Sequence, residues 1–240
     1  MPGGHYVALS GMRARLDQLD RLADEIANAG TAGYKGERSG YVNAPREAFD
    51  QALATAIDVS TGQRSLDVRP GEVVDTGRGL DIALGGSGFL TVETPAGPRY
   101  TRNGHLMRSS DGSLTTADGV PVMGEKGPIK LGVGEVHFDS DGTVRAGNVV
   151  AGKLAIVDFE NPRALVREGA ALLRATDGMT PTGIEHPEVF EGSLENSNVS
   201  TVERMAELTS VARTFEALQK AVAVMLNDVD GRTIDSLGRK

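Results

Sequence analysis

The chain of 240 residues contains no cysteine and no tryptophan, and aromatic residues make up only 4% of it. The absence of cysteine excludes disulfide bonds, thiolate metal sites and cysteine-based catalysis. Because aromatic side chains are so scarce, a deep aromatic-lined ligand pocket is not expected. No stretch approaches the ~20 consecutive apolar residues that cross a bilayer, so we expect a protein that is not membrane-spanning. The first residues also lack a basic region followed by an apolar run, so no cleaved signal peptide is expected.

The composition is acidic and rich in glycine. The formal net charge is −8, and 31 residues are glycine, which predicts many turns and short strands. An acidic protein repels phosphate backbones, so nucleic acid is not an expected partner. The terminal segments 1–36 and 195–240 are nearly neutral, so most of the negative charge lies between them. This distribution favours a protein whose ends meet other copies and whose middle faces water.

The N-terminal segment has apolar residues that step alternately by three and four. This pattern predicts an amphipathic helix over about residues 6–29 with heptad spacing, ended by Gly30 and Gly33. Leu22 widens the apolar stripe. The pattern is also compatible with a helix that simply lies on its own domain. The expected assembly residues on this helix are Leu9, Met12, Leu16, Leu19, Ala23 and Ile26.

The C-terminal segment carries a second heptad pattern. Ser200 and Glu203 have the spacing of a capping box, which predicts a helix that begins near Ser200. We expect Asp230-Gly231 to end this helix. The expected assembly residues are Leu208, Val211, Phe215, Leu218, Val222, Met225 and Val229.

The middle of the chain has short alternating runs separated by turn dipeptides. Asp111-Gly112, Asp118-Gly119 and Asp141-Gly142 supply the positive φ angles that tight hairpins need. No ten-residue helical pattern separates the runs, so an antiparallel β domain is expected. The predicted strands are 80–84, 89–93, 99–102, 113–116, 120–123, 136–138 and 153–159.

The predicted fold class is therefore α+β. A central antiparallel all-β domain is flanked by N- and C-terminal heptad-patterned helices that pair into a coiled-coil-like inner domain. Residues 1–35 and 195–240 form the terminal helical assembly domain, 36–66 a connector, and 67–194 a β-rich outer domain.

The sequence offers no pattern that is typical of an active site. The four histidines, His5, His105, His137 and His186, do not have metal-ligand spacing from one another. The glycine-rich segment 85–88 is followed by a strand-like run and not by a helix, so it is a turn and not a phosphate loop. We therefore expect no catalytic residue, no metal and no cofactor, and not an enzyme.

Several segments in order along the chain resemble the bacterial flagellar rod and hook proteins. The N-terminal helix ends in Asn28, followed by Thr31, Gly33 and Tyr34, as in that family. Leu90 stands where the family has a second aromatic residue after Phe89. The segments that carry the resemblance are 9–12, 26–35, 81–90, 100–104, 116–124 and 192–199.

The resemblance implies a structural subunit of the flagellar basal-body rod that polymerises through its terminal helices into a helical drive shaft and transmits torque. The length and the short connector look most like a proximal-rod subunit; a distal-rod paralogue or a non-polymerising axial adaptor are the alternatives. The implied partners are other copies of the chain, other rod proteins and the flagellar export apparatus, with no small-molecule substrate. The implied location is the periplasm-spanning basal body, reached by export without a cleaved signal peptide.

The resemblance also singles out the turn after the first helix as a hinge motif of Asn28, Thr31, Gly33 and Tyr34. Gly30 or Gly33 is expected to take a positive φ angle. We expect Tyr34 to pack against the C-terminal helix and to fix the angle between the helical and β parts.

Overall fold

The structure, a computed structural model, describes residues 3–39 and 64–237, and the side chains of residues 11–38 and 65–224. Most of the predicted connector 36–66 lies outside the described residues, as do the side chains of Leu9, Met225 and Val229. The described chain divides into two compact units. Of the described residues, 3–27, 39, 64 and 200–237 belong to the helical unit, and 28–38 and 65–199 belong to the β unit.

The described chain contains two helices and nineteen short strands. The helices are α1, Gly3–Ala27, and α2, Thr201–Leu237. The strands are β1 Glu37–Ser39, β2 Arg64–Leu66, β3 Val73–Asp75, β4 Ile82–Gly85, β5 Phe89–Thr94, β6 Gly97–Thr101, β7 Leu106–Arg108, β8 Leu114–Thr116, β9 Met123–Gly124, β10 Gly127–Pro128, β11 Val136–Phe138, β12 Thr143–Ala146, β13 Val149–Lys153, β14 Ile156–Asp158, β15 Val166–Arg167, β16 Leu173–Arg174, β17 Thr182–Gly183, β18 Glu188–Glu191 and β19 Ser193–Glu195. One short 3₁₀ turn, Pro162–Ala164, precedes β15.

The β unit is built from antiparallel pairs. Its largest sheet has the order β15-β16-β6-β5-β14-β17, and a second sheet has the order β11-β12-β13. The other described strands form two-stranded ribbons, including β18 with β4 and β19 with β3. The pairing of β19 with β3 joins strands from opposite ends of the unit, with Glu195 opposite Val73.

The turns of the β unit follow the local sequence signals. Gly112, Gly119 and Gly142 have φ angles of +82°, +79° and +83°, which side chains with a Cβ atom disfavour. Gly142 closes the hairpin between β11 and β12, where its N–H donates to the Asp139 carbonyl at 2.9 Å. The expectation of a central antiparallel β domain is confirmed.

Two apolar clusters form the core of the β unit. The larger one gathers inward-facing residues of several ribbons, among them Ile82, Leu90, Val92, Leu106 and Leu114. The smaller one contains Leu66, Phe89, Tyr100, Phe159, Leu165 and Leu173. In the smaller cluster the rings of Tyr100 and Phe159 meet edge to face, with centroids 4.8 Å apart.

The helical part of the predicted fold class is wrong. The chain is mainly β with two helices in its described residues, and these residues show no coiled-coil pairing. The heptad residues Leu16 and Ala23 are exposed, whereas Leu22 and Glu25 are buried. The spacing of apolar residues predicts an apolar stripe along a helix, but it does not show which side of that stripe is buried. Here the buried side includes the carboxylate of Glu25.

The start of α2 follows its sequence signal, but its end does not. The Glu203 N–H donates to the Ser200 hydroxyl at 3.4 Å, and the helix begins at Thr201. The helix continues through Asp230-Gly231 to Leu237, so the expected end there is wrong. A glycine inside a helix costs only about 1 kcal/mol, which is too little to stop a helix by itself. Among the residues that the structure describes, no helix has the length and apolar character of a membrane span.

Candidate functional site

The segment after α1 belongs to the β unit and begins with a turn. The Thr31 N–H donates to the Asn28 carbonyl at 3.0 Å, and the Tyr34 N–H donates to the Thr31 carbonyl at 3.2 Å. Gly33 has a φ of +68°, which confirms the expected positive φ. A Cβ atom on Gly33 would overlap the backbone carbonyl of Arg102, so only glycine fits here without movement.

Tyr34 is buried, with 1% of its surface exposed. The Arg167 guanidinium lies over the ring, 4.0 Å from its centroid, and also donates to the Lys35 carbonyl. A cation over an aromatic face stabilises a contact by about 0.5–2 kcal/mol, with more when the pair is desolvated. This contact anchors the hinge motif inside the β unit. The expected contact between Tyr34 and the C-terminal helix α2 stays a prediction.

The centre of the site is the buried carboxylate of Glu195, which is 1% exposed. Its Oε1 accepts from Lys35 Nζ and, at 2.9 Å, from the Gly71 N–H. Its Oε2 lies 3.3 Å from an Arg102 guanidinium nitrogen. Arg102 also donates to the carbonyls of Leu84 and Gly86, at 3.1 and 2.6 Å. The carboxylate is therefore bound by donors from three separate segments of the chain.

Burial acts on the pKa values of both cations. Desolvation lowers the pKa of Lys35, although the hydrogen bond and the charge of Glu195 oppose the shift. Desolvation also lowers the pKa of Arg102, again against the charge of Glu195. Two buried cations that share one carboxylate depend on it, since removal of one partner of a buried ion pair costs about 3–5 kcal/mol.

Asn198 makes the second connection between the two ends of the β unit. Its Oδ1 accepts from the Gly36 N–H at 2.8 Å, and its Nδ2 donates to the carbonyls of Asp67 and Arg69, at 2.8 and 3.0 Å. Its own backbone N–H donates to the Tyr34 carbonyl at 3.3 Å. The Asn198 side chain thus joins Gly36 to residues 67–69, and its backbone adds a bond to Tyr34.

Asp67 holds two arginines beside this connection. Its carboxylate accepts from Arg38 Nε at 2.9 Å and from a terminal Arg69 nitrogen at 2.7 Å. Burial by itself raises the pKa of Asp67, but the hydrogen bonds from Arg69 and Arg38 outweigh it and hold the pKa at about 2. The carboxylate is therefore ionised at neutral pH.

These contacts define one structural site, here called the closure cluster. Its members are Gly33, Tyr34, Lys35, Gly36, Asp67, Arg102, Glu195 and Asn198. The cluster brings the first residues of the β unit next to its last ones, more than 150 residues apart in sequence. Its side chains bind one another and backbone groups of neighbouring residues, which is typical of a structural joint.

The sequence patterns found only part of this cluster. Gly33 and Tyr34 are in the predicted hinge motif, whereas the ionic contacts of Lys35, Arg102 and Glu195 were not predicted. All three residues lie in segments that carried the family resemblance, but charged residues in separate segments do not reveal their pairing. Asn28 and Thr31, the other hinge residues, are half-buried, and the Thr31 hydroxyl lies 3.4 Å from the Asn28 side-chain oxygen.

The helical unit contains polar contacts as well as the buried apolar side chains of Leu22 and Val211. The Arg204 guanidinium lies 2.7 Å from the buried Glu25 carboxylate and 2.6 Å from Glu207. The Gln18 amide donates to Glu207 at 3.3 Å. These ion pairs and hydrogen bonds connect α1 with the first turns of α2.

The expected assembly residues differ widely in exposure. Leu16 is 45% exposed and Ala23 is exposed, whereas Val211 is buried. The others with described side chains are half-buried: Met12, Leu19, Ile26, Leu208, Phe215, Leu218 and Val222. Further apolar residues of α2 that sequence analysis did not select are exposed, namely Val202 at 78%, Met205 at 53% and Val224 at 68%. Their role in assembly stays a prediction.

In the part of the chain that the structure describes, no group of three or more histidine or acidic side chains is arranged to hold a metal ion.

Two family models match separate parts of the chain. The model described as the flagellar hook protein FlgE/F/G D1 domain matches residues 83–146, which include Arg102. The model described as the flagellar basal body rod FlgEFG protein C-terminal region matches residues 191–225, which include Glu195 and Asn198. Both matched regions therefore contribute to the closure cluster.

Full-length relatives agree with these matches. The chain is 30% identical over 250 residues to the flagellar basal-body rod protein FlgF of Rhizobium meliloti, with 99% of each chain covered. It is 31% identical over 242 residues to FlgF of Salmonella typhimurium, with 95% of each covered. It is 27% identical over 243 residues to the rod protein FlgG of Agrobacterium fabrum, with 90% of this chain and 92% of the relative covered.

Proposed function

Because the chain belongs to the flagellar basal-body rod protein family, in which it is most like FlgF, we propose that it forms the proximal part of the rod and assembles through its terminal helices. It is a structural subunit of the rod. The proposal concerns which segment of the rod it builds and which surface makes the contacts. The FlgF relatives are 30–31% identical and the FlgG relative is 27% identical, which favours the proximal segment.

The observation that carries the assembly proposal is the exposed apolar surface of α2. Val202, Met205 and Val224 are more than half exposed, on a helix of 37 residues. A helix with exposed apolar side chains gains about 25 cal/mol for each Å² that a neighbour covers. The β unit has two apolar clusters of its own, so its fold does not require such a neighbour.

The work of the subunit is mechanical. Neighbouring subunits cover the exposed side chains of the helices, and a repeated, non-closing contact of this kind builds an open helix and not a ring. Torque passes along the shaft because the contacts between neighbouring subunits are packed. Each β unit is also held together by the hydrogen bonds and ion pairs of its closure cluster. The subunit needs no catalytic group and no cofactor for this work. It reaches the basal body through the flagellar export apparatus.

Paired substitutions on α2 test the assembly surface. Val224→Asp introduces a charge at an apolar position that is 68% exposed, and Gln219→Asp introduces the same charge at an exposed polar position of the same helix. In the bacterium that makes the protein, Val224→Asp is expected to abolish swimming and to remove the subunit from purified basal bodies. Gln219→Asp is expected to leave both unchanged. Rods of normal yield with Val224→Asp would contradict assembly through this surface.

Deletion of the gene distinguishes the proximal from the distal segment. A distal segment can grow only on a finished proximal one, so basal bodies from the deletion strain should lack the FlgG-type subunit. Mass spectrometry of the arrested basal bodies measures this directly. A normal amount of the FlgG-type subunit would instead favour the alternatives, a distal-rod subunit or a non-polymerising axial adaptor.

A further inference from the structure

We propose that residues 193–198, here called the closing segment, form a folding latch that completes the β unit only after nearly the whole chain is available. The closing segment comprises β19 and the residues that follow it as far as Asn198. Until it arrives, the N-terminal segment 33–36 has its contacts with Arg167 and residues 67–69 but lacks its hydrogen bonds to Glu195 and Asn198. The inference concerns the order of folding and does not depend on which rod segment the protein builds.

The first argument is where the polar groups of segment 33–36 are bound. The Gly33 N–H donates to the Glu195 carbonyl at 2.6 Å, and the Gly36 N–H donates to the Asn198 side chain at 2.8 Å. The Tyr34 carbonyl and the Lys35 ammonium also bind residues of the closing segment. Since buried backbone groups without partners cost free energy, the segment cannot bury itself before the closing segment is present.

The second argument is electrostatic. Lys35 and Arg102 are both buried, at 3% and 6–7% exposure, and they share the Glu195 carboxylate. Without Glu195 the two cations would lie buried next to each other without the carboxylate that both contact, although the charge of Asp67 would still act on Lys35 and that of Asp158 on Arg102. Burial of an unpaired charge is strongly unfavourable, and repulsion between like charges adds to it. An incomplete chain therefore leaves Lys35 in water and keeps segment 33–36 away from Arg102.

The third argument is the length of chain that the latch closes. The bonds from residues 35 and 36 to the closing segment span 160 and 162 residues. The hairpins β5–β6, β7–β8 and β11–β12 join strands that are neighbours in sequence. Loop-closure entropy grows with length and long-range contacts form slowly, so these hairpins form before the latch.

The latch also connects the closing segment to the middle of the chain. The Asn196 N–H donates to the Glu72 carbonyl at 2.8 Å, and a Cβ atom on Gly71 would overlap the Asn196 carbonyl. Residues 67–72 contact both segment 33–36 and the closing segment. The latch therefore forms only when these three parts of the chain come together. This requirement makes closure a single late step.

Refolding kinetics of the full-length protein test the order. In pulse-labelling hydrogen exchange, the amides of β5 should become protected before those of Gly33 and Gly36. Glu195→Gln should raise the unfolding rate about tenfold or more and change the folding rate of β5 less than about twofold, the behaviour of a contact that is absent from the transition state. Asn198→Ala, which leaves no unpaired buried charge, should act in the same direction.

Two controls make the result interpretable. Glu185→Gln removes an exposed carboxylate close to the latch in sequence and should change neither rate. Val92→Ala removes buried volume from β5 and should slow folding. Protection of Gly33 and Gly36 together with β5, or equal slowing of β5 folding by Glu195→Gln and Asn198→Ala, would overturn the latch.

Discussion

The helical unit and the β unit satisfy their side chains in different ways. The β unit buries two apolar clusters and neutralises its buried charges internally, as the closure cluster shows. The helical unit leaves Leu16, Met205 and Val224 largely exposed, although Glu25 and Arg204 pair within it. The β unit also exposes apolar side chains, among them Val133, Val149 and Val150, so the two units differ in the buried clusters of the β unit and not in the presence of exposed apolar surface. The proposed assembly surface is the part of that exposed surface that lies on the helices.

This difference predicts two classes of substitution. Changes in the closure cluster should lower the free energy of unfolding of the β unit. Changes on the exposed apolar surface of the helices should leave that free energy unchanged and affect assembly alone. The predictions below run from the largest expected loss of stability to the smallest.

Glu195→Ala should have the largest effect on the β unit. It leaves Lys35 and Arg102 buried without their shared carboxylate, and loss of one partner of a buried ion pair costs about 3–5 kcal/mol. Urea unfolding followed by circular dichroism measures the change. Glu185→Ala, at an exposed position, should stay within about 0.5 kcal/mol of the parent. Equal stability of the two variants would mean that the cluster does not hold the β unit together.

Gly33→Ala should come next. The new Cβ atom meets the Arg102 carbonyl in a backbone conformation with positive φ, and together these effects cost roughly 2–4 kcal/mol. Gly30→Ala is the matched control, since open space surrounds Gly30 and its φ is not positive. The difference between their urea midpoints measures the effect. A Gly33→Ala variant as stable as Gly30→Ala would show that the turn adjusts freely.

The sequence predicted those turns and strands of the β unit that depend on residues adjacent in sequence. The dipeptides Asp111-Gly112 and Asp141-Gly142 predicted the turns of two hairpins, and the strand 136–138 was predicted with its observed bounds. Positive φ and alternation act over a few residues, so a local pattern is enough to reveal them.

Local sequence patterns did not predict the contacts that join the two ends of the β unit. Strands β3, β18 and β19 were not predicted, and β19 pairs with β3 across more than 100 residues. The buried charges of Lys35 and Glu195 look like ordinary surface charges in the sequence. On α1, the heptad pattern selected Leu16 and not the buried Leu22, because spacing cannot tell which side of a wide apolar stripe is covered.

A smaller effect is expected from Asp67→Asn, and it should depend on pH. The pKa of Asp67 is about 2 in the folded protein, below the value of about 3.9 for an unfolded chain. Its ionised form therefore stabilises the fold above about pH 4, and this contribution is lost as the pH falls toward 2. Asp67→Asn should be less stable than the parent by about 1 kcal/mol at pH 6, since Arg38 and Arg69 are exposed and water screens their attraction to Asp67.

The difference between Asp67→Asn and the parent should shrink as the pH is lowered from 4 to 2.5. Urea midpoints at pH 6, 4 and 2.5 measure it. Asp118→Asn, which changes an exposed turn residue, should stay within about 0.5 kcal/mol of the parent at each pH. A constant difference between Asp67→Asn and the parent across this range would contradict the stabilising role of the ionised carboxylate.

Leu16→Asp should have the smallest effect on stability and still affect assembly. Leu16 is 45% exposed on α1, so a carboxylate there remains in water in the isolated subunit, and the β unit should unfold within about 0.5 kcal/mol of the parent. In the rod that carboxylate would be covered by a neighbour, and burial of an unpaired charge costs several kcal/mol. Arg13→Asp introduces the same group three residues earlier at an exposed position off the apolar stripe. Only Leu16→Asp should therefore prevent incorporation into purified basal bodies. If the two variants assembled equally well, the exposed apolar side chains of α1 would have no part in the contact, and the difference between the two units would be limited to α2.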